Sequence, residues 1–234
     1  QITEDRYYEL LKSANIEGKP DYTNVHYTLL GRVIESVSGK NWRDFLAARL
    51  FEPAGMKSAT GYASELYTGD AALPSKSWEG NLVPTESRKT DRTMHAAGGM
   101  GTSIADLARW VRLNLNYGEI DGIRLVLEKS AQAMQNMETK ISGGTPIPNS
   151  SRDGVGVGWM IGRYRDLKYV EDGGGYIGTS AGISFLPERR IGFAAVANSD
   201  IPLPIVAMVD VYDRLLGHGD EVDMLPRLRQ MAEQ

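Results

Sequence analysis

Tyr22 and Asn24 stand two residues apart among turn-forming residues, immediately ahead of an apolar-periodic stretch. A phenol relays a proton when a neighbouring cation lowers its pKa, and an amide two residues on can point to the same side. Alone, the pair has two readings: a reactive phenol beside an orienting amide, or Asn24 as a helix N-cap with Tyr22 as packing. The rest of the chain narrows the chemistry. Cys is absent, which removes thiol nucleophiles, disulfides and Cys-bound metals together. The three histidines, His26, His95 and His218, are too few and too scattered for a metal cluster. Hydroxyl, phenol and carboxylate chemistry remains. Asp172 is followed by three glycines, 173–175, but no Lys-Ser/Thr comes after them, so a phosphate-binding loop is a poor fit.

These residues must be held by a folded scaffold, and the chain is long enough to supply one. Its 234 residues bury a sizeable core, and 41% hydrophobic with 24% charged residues is an ordinary globular mix. Lys and Arg number 26 against 30 Asp and Glu, a net charge of −4, so the basic surplus of a generic nucleic-acid binder is missing. No apolar run approaches the roughly 18 residues that span a bilayer.

Along the chain, 3–12 suits a short helix. Leu29, Leu30, Val33, Ile34 and Val37 fall at the spacing of one helical face, which Gly39 stops. Asn41 caps a second helix with Asp44 three residues on and Trp42, Phe45, Leu46 and Leu50 as its apolar stripe. Residues 57–94 carry no sustained period and read as an irregular surface excursion, the charged run 88–92 as a solvated loop. After the glycine turn 96–102, Ser103 begins a helix, with Asp106 placed to complete a capping box and Ile104, Leu107, Ala108, Val111 and Leu115 as the expected buried stripe. A short helix is expected within 126–138. Nine glycines then fall between Gly154 and Gly182, interleaved with strand-like runs at 158–165, 169–172, 182–186 and 191–197. Residues 187–190 make a hairpin turn, and a last helix covers about 203–216. Helices, then antiparallel strands, then a helix read as α+β.

The context of Tyr22-Thr23-Asn24 carries a resemblance. The stretch from Tyr22 to Lys40, Leu50-Phe51-Glu52-Pro53-Ala54-Gly55-Met56, the glycine turn Ala96-Ala97-Gly98-Gly99-Met100-Gly101-Thr102, Gly156-Val157-Gly158-Trp159, Asp172-Gly173-Gly174-Gly175, Pro187-Glu188 and Ala195-Val196-Ala197-Asn198 occur in order. Together they resemble the serine hydrolases of the class C β-lactamase type, which include D-alanyl-D-alanine carboxypeptidases and related esterases. The resemblance runs from about residue 22 to residue 216. It implies a penicillin-binding-protein/β-lactamase-like antiparallel sheet, spanning roughly 158–198 and flanked by helices, beside an α-rich region. It divides the chain into 1–150, bearing the Tyr-x-Asn loop, 151–217 with the sheet and last helix, and a polar tail 218–234.

In that family a Ser attacks an acyl carbon, and a Lys three residues later shares the proton transfers with the Tyr. None of the nine lysines here has a Ser three residues before it. The family places that pair further upstream of the Tyr-x-Asn loop than the 21 residues available. Two explanations stand: the chain is part of a complete hydrolase whose nucleophile segment lies upstream, or it is a homologue without the nucleophile that binds a peptide or cell-wall fragment. On the hydrolase reading, Tyr22 is the proton relay, Asn24 orients substrate and Lys, and the Gly175 N–H is half of the oxyanion hole. Asp172 stands where the family has Lys or His. A carboxylate there disfavours β-lactams and D-Ala carboxylates and leaves esters or amides lacking that anion. The expected partners are such a small ester, amide or peptide and the chain's own upstream segment, with no cofactor, no nucleic acid and no membrane span. Zero Cys is compatible with export but names no compartment. His95 and His26 read as structural, Ser103 as a cap, and Trp159 and Tyr176 as core residues or as walls of an acyl pocket.

Overall fold

The computed structural model describes residues 6, 9–10, 12–13, 23–79, 81–143, 145, 147–219, 223–224, 226 and 229. Most of the expected helix 3–12 and the loop holding Tyr22 lie outside them. The chain divides into two compact units, one of residues 1–71 with 88–106 and one of 72–87 with 107–234.

The first unit is helical. Helix α1 (Asn24–Ser38) begins at Thr23, whose hydroxyl accepts the Val25 N–H, and ends at Gly39 in the left-handed region at φ 69°. Its apolar face is largely exposed. Thr28 and Gly31 are its buried residues, whereas Leu29, Leu30, Val33 and Val37 are exposed, Val37 by 84%. Helical spacing shows that one face is apolar; it does not say what covers that face. Helix α2 (Trp42–Leu46) is capped by Asn41, as expected, and passes into a π-helical turn, Ala47–Phe51.

The centre of this unit is Arg43, which the sequence reading passed over. It is buried, lies against the rings of Trp42 and Tyr62, and donates to three carbonyls. Its Nε reaches Gly61 O at 2.9 Å, and one terminal nitrogen reaches Asp91 O and Met94 O at 3.1 and 2.5 Å. One guanidinium thus ties down three points of a long irregular segment. The run 88–92 is part of that fastening rather than a free solvated loop. Asp91 accepts both the Ser64 N–H and hydroxyl, Lys89 Nζ donates to Gly98 O at 2.7 Å, and Arg88 lies over the Tyr67 ring. A short helix α3 (Ala63–Leu66) sits within the same segment.

The second unit is built on a sheet. The segment expected to be irregular contains a hairpin, β1 (Ser75–Trp78) and β2 (Asn81–Pro84). Helix α4 (Ile104–Leu115) is preceded by Ser103, whose hydroxyl accepts the Asp106 N–H, while the Asp106 carboxylate takes the Ser58 N–H at 2.6 Å. Its buried residues include Leu107, Val111 and Leu113; Ile104 and Ala108, expected inside, are exposed. A two-residue hairpin, β3 (Glu119–Ile120) and β4 (Ile123–Arg124), and helix α5 (Glu128–Met134) lead into a six-stranded antiparallel sheet. Its strands are β5 (Thr139–Gly143), β6 (Ser150–Val155), β7 (Met160–Tyr164), β8 (Leu167–Tyr176), β9 (Thr179–Leu186) and β10 (Ile191–Ala197), in that spatial order. The sheet therefore takes in two strands before residue 158. Their Ser, Gly and Lys content hid the two-residue alternation that marks a strand.

Helix α6 (Leu203–Leu215) covers one face of this sheet. It packs Val206, Met208, Val209 and Tyr212 onto Tyr164, Tyr169 and Leu186. Met224, from the stretch expected to be a polar tail, is buried in the same cluster. On the other face Val111 of α4 meets Trp159, Ile161, Val170 and Phe185. Strand side chains alternate between faces, so each strand contributes to both clusters.

Candidate functional site

The chemistry expected of Asp172 and Gly175 depends on how β8 is held. Leu167 to Glu171 pair with β7, and Val170 onward pairs with β9, so the two ladders overlap at Val170 and Glu171. The β7 ladder ends at Met160 opposite Glu171. Beyond that point β8 runs on for residues 172–176 with β9 on one side and, among the described residues, no strand on the other. Residues 172–175 are all exposed. An edge of this kind leaves alternate N–H and C=O groups free to pair with an incoming chain or substrate.

The glycines on that edge are not demanded by the protein's own packing. A Cβ on Gly174 would meet nothing within 4 Å, and one on Gly175 only Thr179 O at 3.4 Å, an ordinary contact. Neither has positive φ. Gly178, two residues past the strand, is different. It sits at φ 77° with the Ser75 nitrogen 2.7 Å from where a Cβ would be, and its carbonyl accepts the Ser75 N–H at 3.0 Å. That contact holds the tip of the β8–β9 hairpin against the β1–β2 hairpin. The edge is thus anchored at both ends and bare in between.

Neighbouring carboxylates at the ladder's end go opposite ways, as strand alternation requires. Glu171 turns to the α6 face and is buried. Its Oε1 accepts Arg152 Nε at 2.5 Å and its Oε2 accepts the Tyr169 hydroxyl at 2.9 Å. Arg152 reaches it from β6 across β7 at Gly162, where a side chain would strike Ser151 O. Asp172 takes the other face, with Ile183 as its cross-strand neighbour. Its Oδ1 accepts only the N–H of Gly173, at 2.9 Å, and it forms no ion pair among the described residues. Loss of hydration against the surrounding protein, aided by the Glu171 charge, holds its carboxyl above the ordinary carboxylate range, against the pull of the Gly173 N–H and Arg152.

Asn24 is the first residue of α1. Thr23 is the cap, not Asn24, so the amide is released from the capping role considered for it. The Asn24 side chain is exposed and makes no hydrogen bond among the described residues; its carbonyl accepts the Thr28 hydroxyl at 2.9 Å. Tyr22 lies outside the described residues. Trp159 is a core residue and no pocket wall, buried against Phe185 edge-to-face and stacked with Trp110. His26 is exposed on α1, and Ser103 is a cap. Among the described residues no three His, Asp or Glu side chains converge where a metal ion could sit, and no helix is long and apolar enough to cross a membrane. Sequence reasoning missed Arg152 and Glu171. A partly buried ion pair between residues 19 apart on two strands has no local signature.

The chain matches the sequence model of the family described as Beta-lactamase over residues 5–218. It is 26% identical over 204 residues to penicillin-binding protein 4 of Amycolatopsis lactamdurans, a match covering 84% of this chain and 51% of that protein. The octameric penicillin-binding protein homologue from Pyrococcus abyssi superposes with a TM-score of 0.81 at 25% identity, over 97% of this chain and 51% of its own. A D-stereospecific amidohydrolase from Streptomyces sp. superposes with a TM-score of 0.68 over 93% of this chain and 62% of its own; at 19% identity, what it shares is the fold. The chain spans about half the length of the curated relative it matches. With the family match running over most of the sequence and the antiparallel sheet flanked by helices shared with these structures, the chain belongs to the β-lactamase family.

Proposed function

We propose that the protein hydrolyses esters or amides through a seryl acyl-enzyme. In this reading the Ser-x-x-Lys pair lies in a segment outside these 234 residues. Tyr22 relays the proton between the nucleophile and the leaving group, Asn24 orients substrate and Lys, and the Gly175 N–H is one of two donors to the oxyanion.

The observation that carries the proposal is the bare edge at 172–176. Three consecutive glycines, two of them not required by packing or backbone angle, line the stretch of β8 that runs past the end of the β7 ladder. A substrate backbone that must come within hydrogen-bond distance of a strand gives a reason for their small size. The exposed apolar stripe of α1 also accords with a further segment, because Leu30, Val33 and Val37 form a surface of the kind normally covered.

Asp172 directs the reaction away from β-lactams and D-Ala-D-Ala peptides, whose carboxylate it repels. The family membership supports hydrolysis in general; the preference for esters or amides rests on this side chain.

The test is mass spectrometry of the full-length natural protein after reaction with a fluorophosphonate. A single adduct on a Ser upstream of Gln1, with a Lys three residues after it, is the expected result. A full-length protein that takes no adduct and yet binds a peptide or cell-wall fragment would be the inactive homologue instead.

A further inference from the structure

The charge at the bare edge says more about the substrate than what it repels, and this step rests on the hydrolase reading above. The two carboxylates at the end of the β7 ladder are not equivalent. The charge of Glu171 is answered within the fold by Arg152, and its second oxygen by Tyr169. Asp172 accepts a hydrogen bond only from the next N–H and forms no ion pair among the described residues; Arg152, already bound to Glu171, acts on it only through space. Asp172 also stands on the residue where the edge opens, next to Gly173–Gly175, so whatever lies along the edge lies beside an unpaired anion. A chain with a net charge of −4 supplies no general excess of cations to neutralise it.

We propose that Asp172 selects substrates carrying a protonated amine close to the scissile bond, as in amino-acid amides and esters with a free α-amino group. The ammonium is the ligand chemistry that completes the site. It pairs with the carboxylate, donates hydrogen bonds that Asp172 otherwise lacks, and is small enough to sit at a strand edge whose neighbours have no side chains. Asp172 is therefore a specificity-determining residue, with no part in bond making or breaking.

Alanine p-nitroanilide in its D and L forms, with the amine free, acetylated or succinylated, offers one acyl group as a cation, a neutral species and an anion. Hydrolysis by the full-length protein should run in that order, with kcat/KM at least roughly tenfold higher for the free amine than for the acetylated compound, a difference of about 1.4 kcal/mol in transition-state binding. Asp172→Asn should bring the cation and neutral compound within about threefold of each other, and Asp172→Lys should reverse the order. Titration calorimetry with alaninamide, N-acetylalaninamide and N-succinylalaninamide reads the same order as Kd, independently of turnover. Binding in the expected order without hydrolysis or a fluorophosphonate adduct keeps the amine selectivity and removes the hydrolase reading. Hydrolysis with no charge order, an order that Asp172→Asn leaves intact, or no binding of the amine overturns the selectivity.

Discussion

One strand of this protein is two different objects. In its first half, residues 167–171, β8 pairs with β7, joined by β9 from Val170, and its side chains Tyr169, Val170 and Glu171 are buried. In its second half, residues 172–176, it has one neighbour and carries Asp-Gly-Gly-Gly-Tyr, exposed up to the last residue. The first half is specified by packing. Val170 and Phe185 face each other inside one cluster, Tyr169 and Tyr212 meet edge to face in the other, and Glu171 is held by Arg152. The second half is specified by something packing does not explain. On the proposed function, these glycines leave room for a substrate along the edge.

The sharpest way to break this contrast is to change residues in equivalent ladders and compare stability with activity. The largest effect belongs to the closed half. Phe185→Ala empties a fully buried site between Val170 and Trp159 and should cost about 3–5 kcal/mol in urea unfolding. A loss below about 1 kcal/mol would mean that this half is not a packed core.

Next comes the pair of carboxylates. Glu171→Gln leaves the Arg152 guanidinium without its anion and should cost about 1–3 kcal/mol, whereas Asp172→Asn should change stability by less than about 0.5 kcal/mol. Equal losses from the two variants would erase the distinction between the halves.

Gly174→Ala should be silent in unfolding, within about 0.5 kcal/mol, because its Cβ meets nothing. In the full-length protein the same methyl should lower kcat/KM by roughly a hundredfold, since it holds the substrate off the edge. A variant as active as the parent would show that nothing lies along that face of 172–176.

The smallest effect is a pH dependence. Acid removes the Asp172 charge, and because loss of hydration, helped by Glu171 and opposed by the Gly173 N–H and Arg152, holds its carboxyl above the ordinary range, that loss begins at a higher pH than for a free Asp. The advantage of free-amine over acetylated substrates should therefore fade on acidification from pH 7 towards 4. A ratio flat across that interval would uncouple the selectivity from this group.

Much of the scaffold was legible in the residues. The caps Asn41 and Ser103, the helix stop at Gly39, the strand 191–197 and the turn 187–190 all follow from local chemistry: a side-chain acceptor for a free N–H, a glycine for a left-handed φ, alternation for a half-buried strand. Ordered motifs also carried the family and placed Asp172 at the start of a glycine-rich strand. What they left undecided were the long-range partners. The apolar spacing of α4 marks a face of which Ile104 and Ala108 are exposed, and that of α1 a face that is largely exposed, because a period reports a face and not its neighbour. The strands β5 and β6, with their Gly, Ser and Lys content, became strands only through pairing with β7. Arg43 fastening three carbonyls, Arg152 crossing a glycine to reach Glu171, and the end of the β7 ladder one residue before Asp172 join residues distant in sequence. The sequence by itself determined which residues can do chemistry, since that depends on side-chain type and local spacing. Only the tertiary structure decided that Glu171 is neutralised and Asp172 is not, because charge pairing and strand coverage are set by which segments meet in space.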